Sequence, residues 1–315
     1  VKQILTKQKV GDMLLLYLYD TNNDRIGLSM VPESLEDKIT LDGDWNIESL
    51  IHLKLVGDPY TVGFSSRGSM RYSGASKELT FCEQYVEYSM GAKTIVTVLE
   101  SKKLLASHKV RYQDDAKTVT VSTEIKNRFI NPITLEMVSS FSICGWPMIG
   151  TGIRSDDMKL YRMRRRQSAK GKLRKEIIID AQVEPSRSQY GVQSICFGQV
   201  GASQDKEYFK GGVVEVQKYG VCLGATVNYD GAYQTDVYSY DDRRAVVGVL
   251  GGSNKTNWTK TLRNGESFGT PETSISVVAG EVEMICARLA KEIQTSKKES
   301  VFADETKLIL INEIG

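Results

Sequence analysis

The residues best placed to do recognition chemistry lie in one stretch, GDPYTVGFSSRGSMRYSG, residues 57–74. Turn formers (Gly57, Asp58, Pro59, Gly63, Gly68) are interleaved there with aromatics (Tyr60, Phe64) and two arginines (Arg67, Arg71). An aromatic ring offers a stacking face, while a forked guanidinium or a carboxylate binds hydroxyls beside it. Such a set suits a sugar or a neighbouring subunit, and long structured loops often carry function. The competing expectation is a twisted connection whose aromatics pack on the domain beneath.

Elsewhere, catalytic groupings are missing from the sequence. Hydrolysis of a glycoside needs two carboxylates with a defined gap across the sugar. Asp156-Asp157 and Asp241-Asp242 are sequence neighbours, and on a strand neighbours point to opposite faces. The histidines are only His52 and His108, too few for a histidine-rich metal site, and the five cysteines are scattered with no C-x-x-C pair. Such cysteines read as reduced core residues. Neither a P-loop nor a G-x-S-x-G elbow occurs, and the glycines at 150–152 and 248–252 lack a strand-loop-helix setting, so they read as turns. The expectation is a chain with no catalytic residue, no metal and no cofactor of its own.

Residues 159–175, KLYRMRRRQSAKGKLRK, hold nine basic residues and no acid. Without them the 41 basic residues of the chain fall below its 39 acidic ones. A basic stripe could grip phosphates, but the alternation Leu160, Arg162, Arg164, Arg166 against Tyr161, Met163, Arg165 predicts a β-hairpin with its tip at 168–171. No nucleic-acid module accompanies it and the net charge is only +2, so nucleic acid is not an expected partner.

The elements that must position these residues follow a period of two. Residues 94–99 (TIVTVL), 117–125 (KTVTVSTEI) and 275–278 (ISVV) alternate. Comparable runs occur at 51–56, 135–143, 176–183, 212–217, 221–228 and 244–250, with turn formers between them. Many short strands at regular spacing predict an all-β protein built as a large antiparallel sandwich. One segment breaks the rhythm: Val282, Ile285, Cys286, Leu289 and Ile293 recur at helical spacing. This predicts a linker helix within 280–300 after a sandwich spanning 1–279. The chain then closes on KLILINEIG, residues 307–315, whose four consecutive apolar residues read as a strand covered on both faces. No apolar run approaches the length of a membrane span, MLLLYLY at 13–19 included, which removes the membrane as a partner and gives the cytoplasm as the expected location.

Five segments in order carry a family resemblance: HLKLVGDPYTVGFSSRGSMR (52–71), NPITLEMVSSFSI (131–143), KLYRMRRRQSAKGKL (159–173), VEPSRSQYGVQSICFGQVGA (183–202) and NWTKTLRNGESFGTPET (257–273). Together with the helix and KLILINE they resemble the N-terminal β-supersandwich of glycoside hydrolase family 36, the bacterial retaining α-galactosidases or melibiases. The resemblance implies that a (β/α)₈ catalytic barrel begins at 301–315 and that its aspartates lie beyond Gly315. The whole enzyme would hydrolyse terminal α-galactosides with retention and without a cofactor, commonly as a homo-oligomer. This part would shape the sugar pocket and build the oligomer. Asp58 and Arg67 would bind hydroxyls, with Arg71 nearby and Tyr60 or Phe64 as the stacking face, in a neighbouring subunit's pocket. The chain departs from the family pattern at Arg187 and at Gln167-Ser168-Ala169-Lys170-Gly171, where tryptophans are expected, and at Asn312-Glu313-Ile314, which lacks an aromatic. A stand-alone carbohydrate-binding, lectin-like module is the alternative.

Overall fold

The computed structural model describes residues 1–43, 45–58, 73–150, 157–164, 173–177, 193–199, 208–229, 231–240, 243–251 and 258–298. Its first strands are β1 (Lys2–Val10), β2 (Met13–Asp20), β3 (Arg25–Pro32) and the short β4 (Leu53–Leu55). After the short helix α1 (Gly74–Glu78) come β5 (Thr80–Ser89), β6 (Ala92–Glu100), β7 (Leu104–Tyr112) and β8 (Val119–Asn127). The 14-residue β9 (Ile133–Trp146) is followed by β10 (Met158–Arg164), β11 (Leu173–Ile177), β12 (Gln193–Gln199) and β13 (Tyr208–Val216). The remainder comprises β14 (Val221–Val227), β15 (Tyr233–Tyr240), β16 (Arg243–Gly251), β17 (Lys260–Leu262), β18 (Ser267–Gly269), β19 (Thr273–Ala279) and helix α2 (Val282–Lys298).

These strands make two sheets, as the period of two predicts. One runs β1-β2-β3-β9-β16-β15-β12, with β4 and β17 both pairing with β9. The other runs β11-β10-β13-β14-β19-β8-β7-β6-β5, with β18 on β8. Pairing among the described strands is antiparallel except for Leu28 with Ile143, where β3 meets β9. Val119, Val121, Thr123 and Ile125 of β8 are buried and alternate with partly exposed neighbours. The core between the sheets takes Tyr17, Leu28, Phe141, Ile143, Leu223 and Val277. MLLLYLY is β2, buried along nearly its whole length.

Two sequence expectations are corrected. Gly248 and Gly251 are strand residues of β16, not turns. A Cβ at Gly248 would stand 2.3 Å from the Phe141 ring, so the glycine leaves space for a core aromatic. Cys82 is exposed on β5, whereas Cys144 and Cys222 are buried, and no disulfide joins the five cysteines.

The basic stripe forms the predicted hairpin, with Lys159 opposite Ile177 and Met163 opposite Leu173. Its tip, 165–172, lies outside the described residues. Arg162 is buried, its guanidinium 5.4 Å from the Phe197 ring, so this part of the stripe is packing rather than a phosphate grip.

Helix α2 starts two residues after the predicted 280. Val282, Ile285 and Leu289 settle on Tyr161, Val213, Cys222 and Val278, sealing the outer face of the second sheet. Ile293 falls beyond the described side chains. Gly224 permits the close approach: a Cβ there would meet Leu289 and Ile285 at 3.0 and 3.1 Å. Arg288 forks onto both carboxylate oxygens of Asp12, at 3.0 and 2.6 Å, and also donates to the Val277 carbonyl at 3.2 Å. Burial raises the Asp12 pKa, but Arg288 and Lys117 outweigh it and hold the carboxyl below the usual range.

Candidate functional site

The loop singled out by the sequence is anchored at both feet by a buried clasp. Its entry is β4, which pairs with the middle of β9: Leu53 with Val138, Lys54 with Met137, Leu55 with Leu135. Gly57 then adopts φ +89°, a turn conformation that favours glycine. Asp58 Oδ2 accepts from the Leu55 N–H at 3.0 Å and, across the loop, from the Ala75 N–H at 3.2 Å. At the exit Ser73 caps α1, its Oγ accepting from the Ser76 N–H at 3.0 Å. Ser73 Oγ also donates to the Leu53 carbonyl, while Ser76 Oγ donates to that carbonyl and accepts from the Leu53 N–H, each at 2.8 Å. Two serines and one aspartate thus tie residues 58 and 73 to the same strand.

The chemistry behind this is local. A loop whose ends leave a β-edge strands polar backbone groups, and each one buried without a partner costs about 1–3 kcal/mol. The side chains of Asp58, Ser73 and Ser76 take up those groups, as short oxygen-bearing side chains do at turns and caps. The strand beneath is itself fixed. The His52 N–H donates to Ser139 Oγ at 2.8 Å, and the Ser139 N–H donates to the His52 carbonyl at 2.7 Å. Lys54 pairs with Glu136 with its side chain 11 % exposed.

Beside the clasp, where α1 runs into β5, lies an open polar cleft of about 490 Å³. Glu78, Thr80, Glu100, Ser101, Lys102 and Arg128 line it. Arg128 holds Glu100 at 2.8 Å, with both side chains nearly half exposed, a pair that contributes about 0–1 kcal/mol. The cleft offers hydroxyls and charges of both signs, suited to hydrogen-bonding a polar ligand.

Of the five residues expected to bind sugar, Asp58 is described and Tyr60, Phe64, Arg67 and Arg71 lie outside the described residues. Asp58 engages one oxygen with the backbone on both sides of the loop, so its first task is holding that loop's base. The loop stood out in the sequence, but its anchors Ser73 and Ser76 and the adjoining cleft did not. Ser73-Gly74-Ala75-Ser76 carries a cap signal without saying which strand the cap would meet.

A second polar grouping escaped the sequence reading altogether. Glu48 is fully buried and accepts from the Tyr238 hydroxyl at 3.0 Å. Two residues earlier on β15, Asp236 is buried and accepts from Gln234 Nε2 at 3.1 Å. Burial, then the Glu48 charge, pushes the nearby Cys144 thiol up to about 12, which leaves it inert as a nucleophile. His108 is buried as well, and burial lowers it to about 3, so it is neutral at ordinary pH. No group of three or more His, Cys, Asp or Glu able to hold a metal occurs among the described residues. No helix among them is long and apolar enough to cross a membrane.

No protein-family model matches the sequence, and no curated protein matches it. Solved structures do. A variant of the GH36 α-galactosidase AgaA from Geobacillus stearothermophilus, in complex with stachyose, superposes with a TM-score of 0.63 at 12% identity. The match covers 95% of this chain and 44% of that one. The α-galactosidase from Lactobacillus brevis gives a TM-score of 0.60 at 11% identity, covering 92% and 41%. The galactosidase domain of the α-galactosidase–sucrose kinase AgaSK gives 0.59 at 15%, covering 87% and 40%. The chain therefore shares its fold with part of these enzymes and spans about two-fifths of their length.

Proposed function

We propose that this chain is the non-catalytic N-terminal sandwich of an α-galactosidase-like glycoside hydrolase. The observation that carries the reading is the lopsided coverage: a match over 91% of this chain takes up only 42% of an α-galactosidase structure. Five sequence segments that resemble the same enzymes, in the same order, support it independently of the coordinates.

On this reading residues 1–279 are the sandwich, 280–300 join it to a catalytic barrel, and KLILINEIG opens that barrel's first strand. A parallel barrel strand is covered on both faces, which accounts for four consecutive apolar residues. The parent enzyme works in the cytoplasm on terminal α-galactosides, as in melibiose and raffinose-type sugars, with retention. A retaining mechanism needs two carboxylates about 5–5.5 Å apart, supplied by the barrel. The sandwich contributes the loop held between Asp58 and Ser73. A fixed base matters because a positioning group misplaced by about 1 Å can cost roughly a hundredfold in rate. Arg67 and Arg71 bind sugar hydroxyls there, and Tyr60 or Phe64 stacks on the ring.

The test is made in the full-length parent. Tyr60→Ala and Arg67→Ala should each raise KM for raffinose by about tenfold, the loss of roughly 1.4 kcal/mol of binding. Their melting temperatures should stay within about 2 °C of the parent. Unchanged kinetics in both variants would return the loop to a packing role.

A further inference from the structure

The β5–β6 hairpin closes in two residues, Met90 and Gly91, between the paired Ser89 and Ala92. Both have positive φ, +49° and +74°, as a type I′ turn requires, and its first place is usually taken by asparagine, aspartate or glycine. Glycine adopts that conformation freely, whereas a methionine there is strained. Packing does not offset the strain, because Met90 is 96% exposed. Neither the turn nor the core accounts for a methionine at this place, which leaves the chemistry of its thioether.

The other methionines whose side chains are described sit differently. Met13, Met30, Met137, Met148 and Met158 are buried. Met13 Sδ also accepts from the Val277 N–H at 3.4 Å and from Ser276 Oγ at 3.7 Å. Met284 is 48% exposed, but its sulfur lies against Gly280, where a Cβ would stand 2.5 Å away. An oxygen added to any of these sulfurs meets protein, whereas one added at Met90 meets water. Oxidation turns methionine into a polar, chiral side chain and disrupts a core that holds it, and around Met90 there is no core to disrupt.

We propose that Met90 is a reversible oxidation site for hydrogen peroxide. The Sδ lone pair attacks one peroxide oxygen and the O–O bond breaks. The departing oxygen takes up the proton of the transferred one and leaves as water. Sulfur gives up two electrons, and the peroxide is reduced by them. Methionine sulfoxide reductases reverse the step, removing the oxygen as water while two thiols become a disulfide. Each sulfoxide epimer has its own reductase, and an unencumbered sulfur gives both epimers, so full recovery takes both enzymes.

Peptide mapping by mass spectrometry on the folded 315-residue chain in dilute hydrogen peroxide tests this. Met90 should gain one oxygen about tenfold faster than Met284, and the five buried methionines should react more slowly still. The two reductases together, with dithiothreitol, should return Met90 to the thioether. Met90→Asn, which suits the turn, should melt no lower than the parent. The inference is overturned if Met284 or a buried methionine oxidises as fast as Met90, or if the reductases leave the Met90 sulfoxide in place. A lower melting temperature in Met90→Asn would give the methionine a structural role and overturn it as well.

Discussion

The second sheet is finished in two different ways at its two ends. Across β10, β13, β14 and β19 its inner face carries the row Leu160, Val214, Leu223 and Val277, all buried. Its outer face there is sealed by Val282, Ile285 and Leu289 of α2, with Arg288 clamped on Asp12. Across β5 to β8 the matching inner row is Gln84, Thr97, His108 and Thr123, and no described strand pairs with the edge beyond it. Neither imidazole nitrogen of His108 has a hydrogen-bond partner among the described residues. At the first end the chain buries apolar surface for its own stability. At the second it tolerates polar groups inside and leaves Tyr85, Val86, Tyr88 and Met90 exposed outside.

If α2 is what seals the first end, Ile285→Ala should lower the unfolding free energy in urea by about 2–4 kcal/mol, the usual cost of a cavity at a fully buried isoleucine. A loss below about 0.5 kcal/mol, the size of an ordinary surface change, would mean that the helix lies on the sheet without holding it.

The polar end should reveal itself through pH. Burial holds folded His108 at about 3, against about 6.5 in an unfolded chain. Below the unfolded value the unfolded chain takes up a proton that the folded one refuses. Stability is therefore complete above pH 6.5 and falls by about 1.4 kcal/mol per pH unit towards pH 3. The difference in unfolding free energy between the wild type and His108→Leu should carry this slope. A difference that does not vary with pH would place the imidazole in contact with water.

The smallest effect belongs to the β5 edge. Val86→Lys should change the stability of the chain by less than about 0.5 kcal/mol. A larger loss would make β5 part of the fold's own core and dissolve the contrast.

How much of this could be read from the chain depended on range. Val119 to Ile125 declared their strand because a half-buried strand sorts its residues every second position. α2 declared itself by the spacing of Val282, Ile285 and Leu289. β1, KQILTKQKV, and β5, TFCEQYVEYS, gave no such signal, because an open edge is not sorted by a core. Gly248 was read as a turn because nothing local to it reveals the Phe141 ring. The loop at 57–74 stood out by composition, yet its clasp depends on Asp58 meeting Ala75 and on Ser73 and Ser76 meeting Leu53, contacts 17 to 23 residues apart. Arg288 and Asp12 are separated by 276 positions. Such pairings follow from the path of the chain rather than from any local pattern.

The proposal that this chain is the non-catalytic part of an α-galactosidase-like enzyme is tested most directly by titrating raffinose into the purified chain in a calorimeter. The expected trace is the heat of dilution alone, with no galactose released. A sustained heat of turnover would contradict the non-catalytic assignment, and a saturable isotherm without turnover would make the chain a stand-alone sugar-binding module instead.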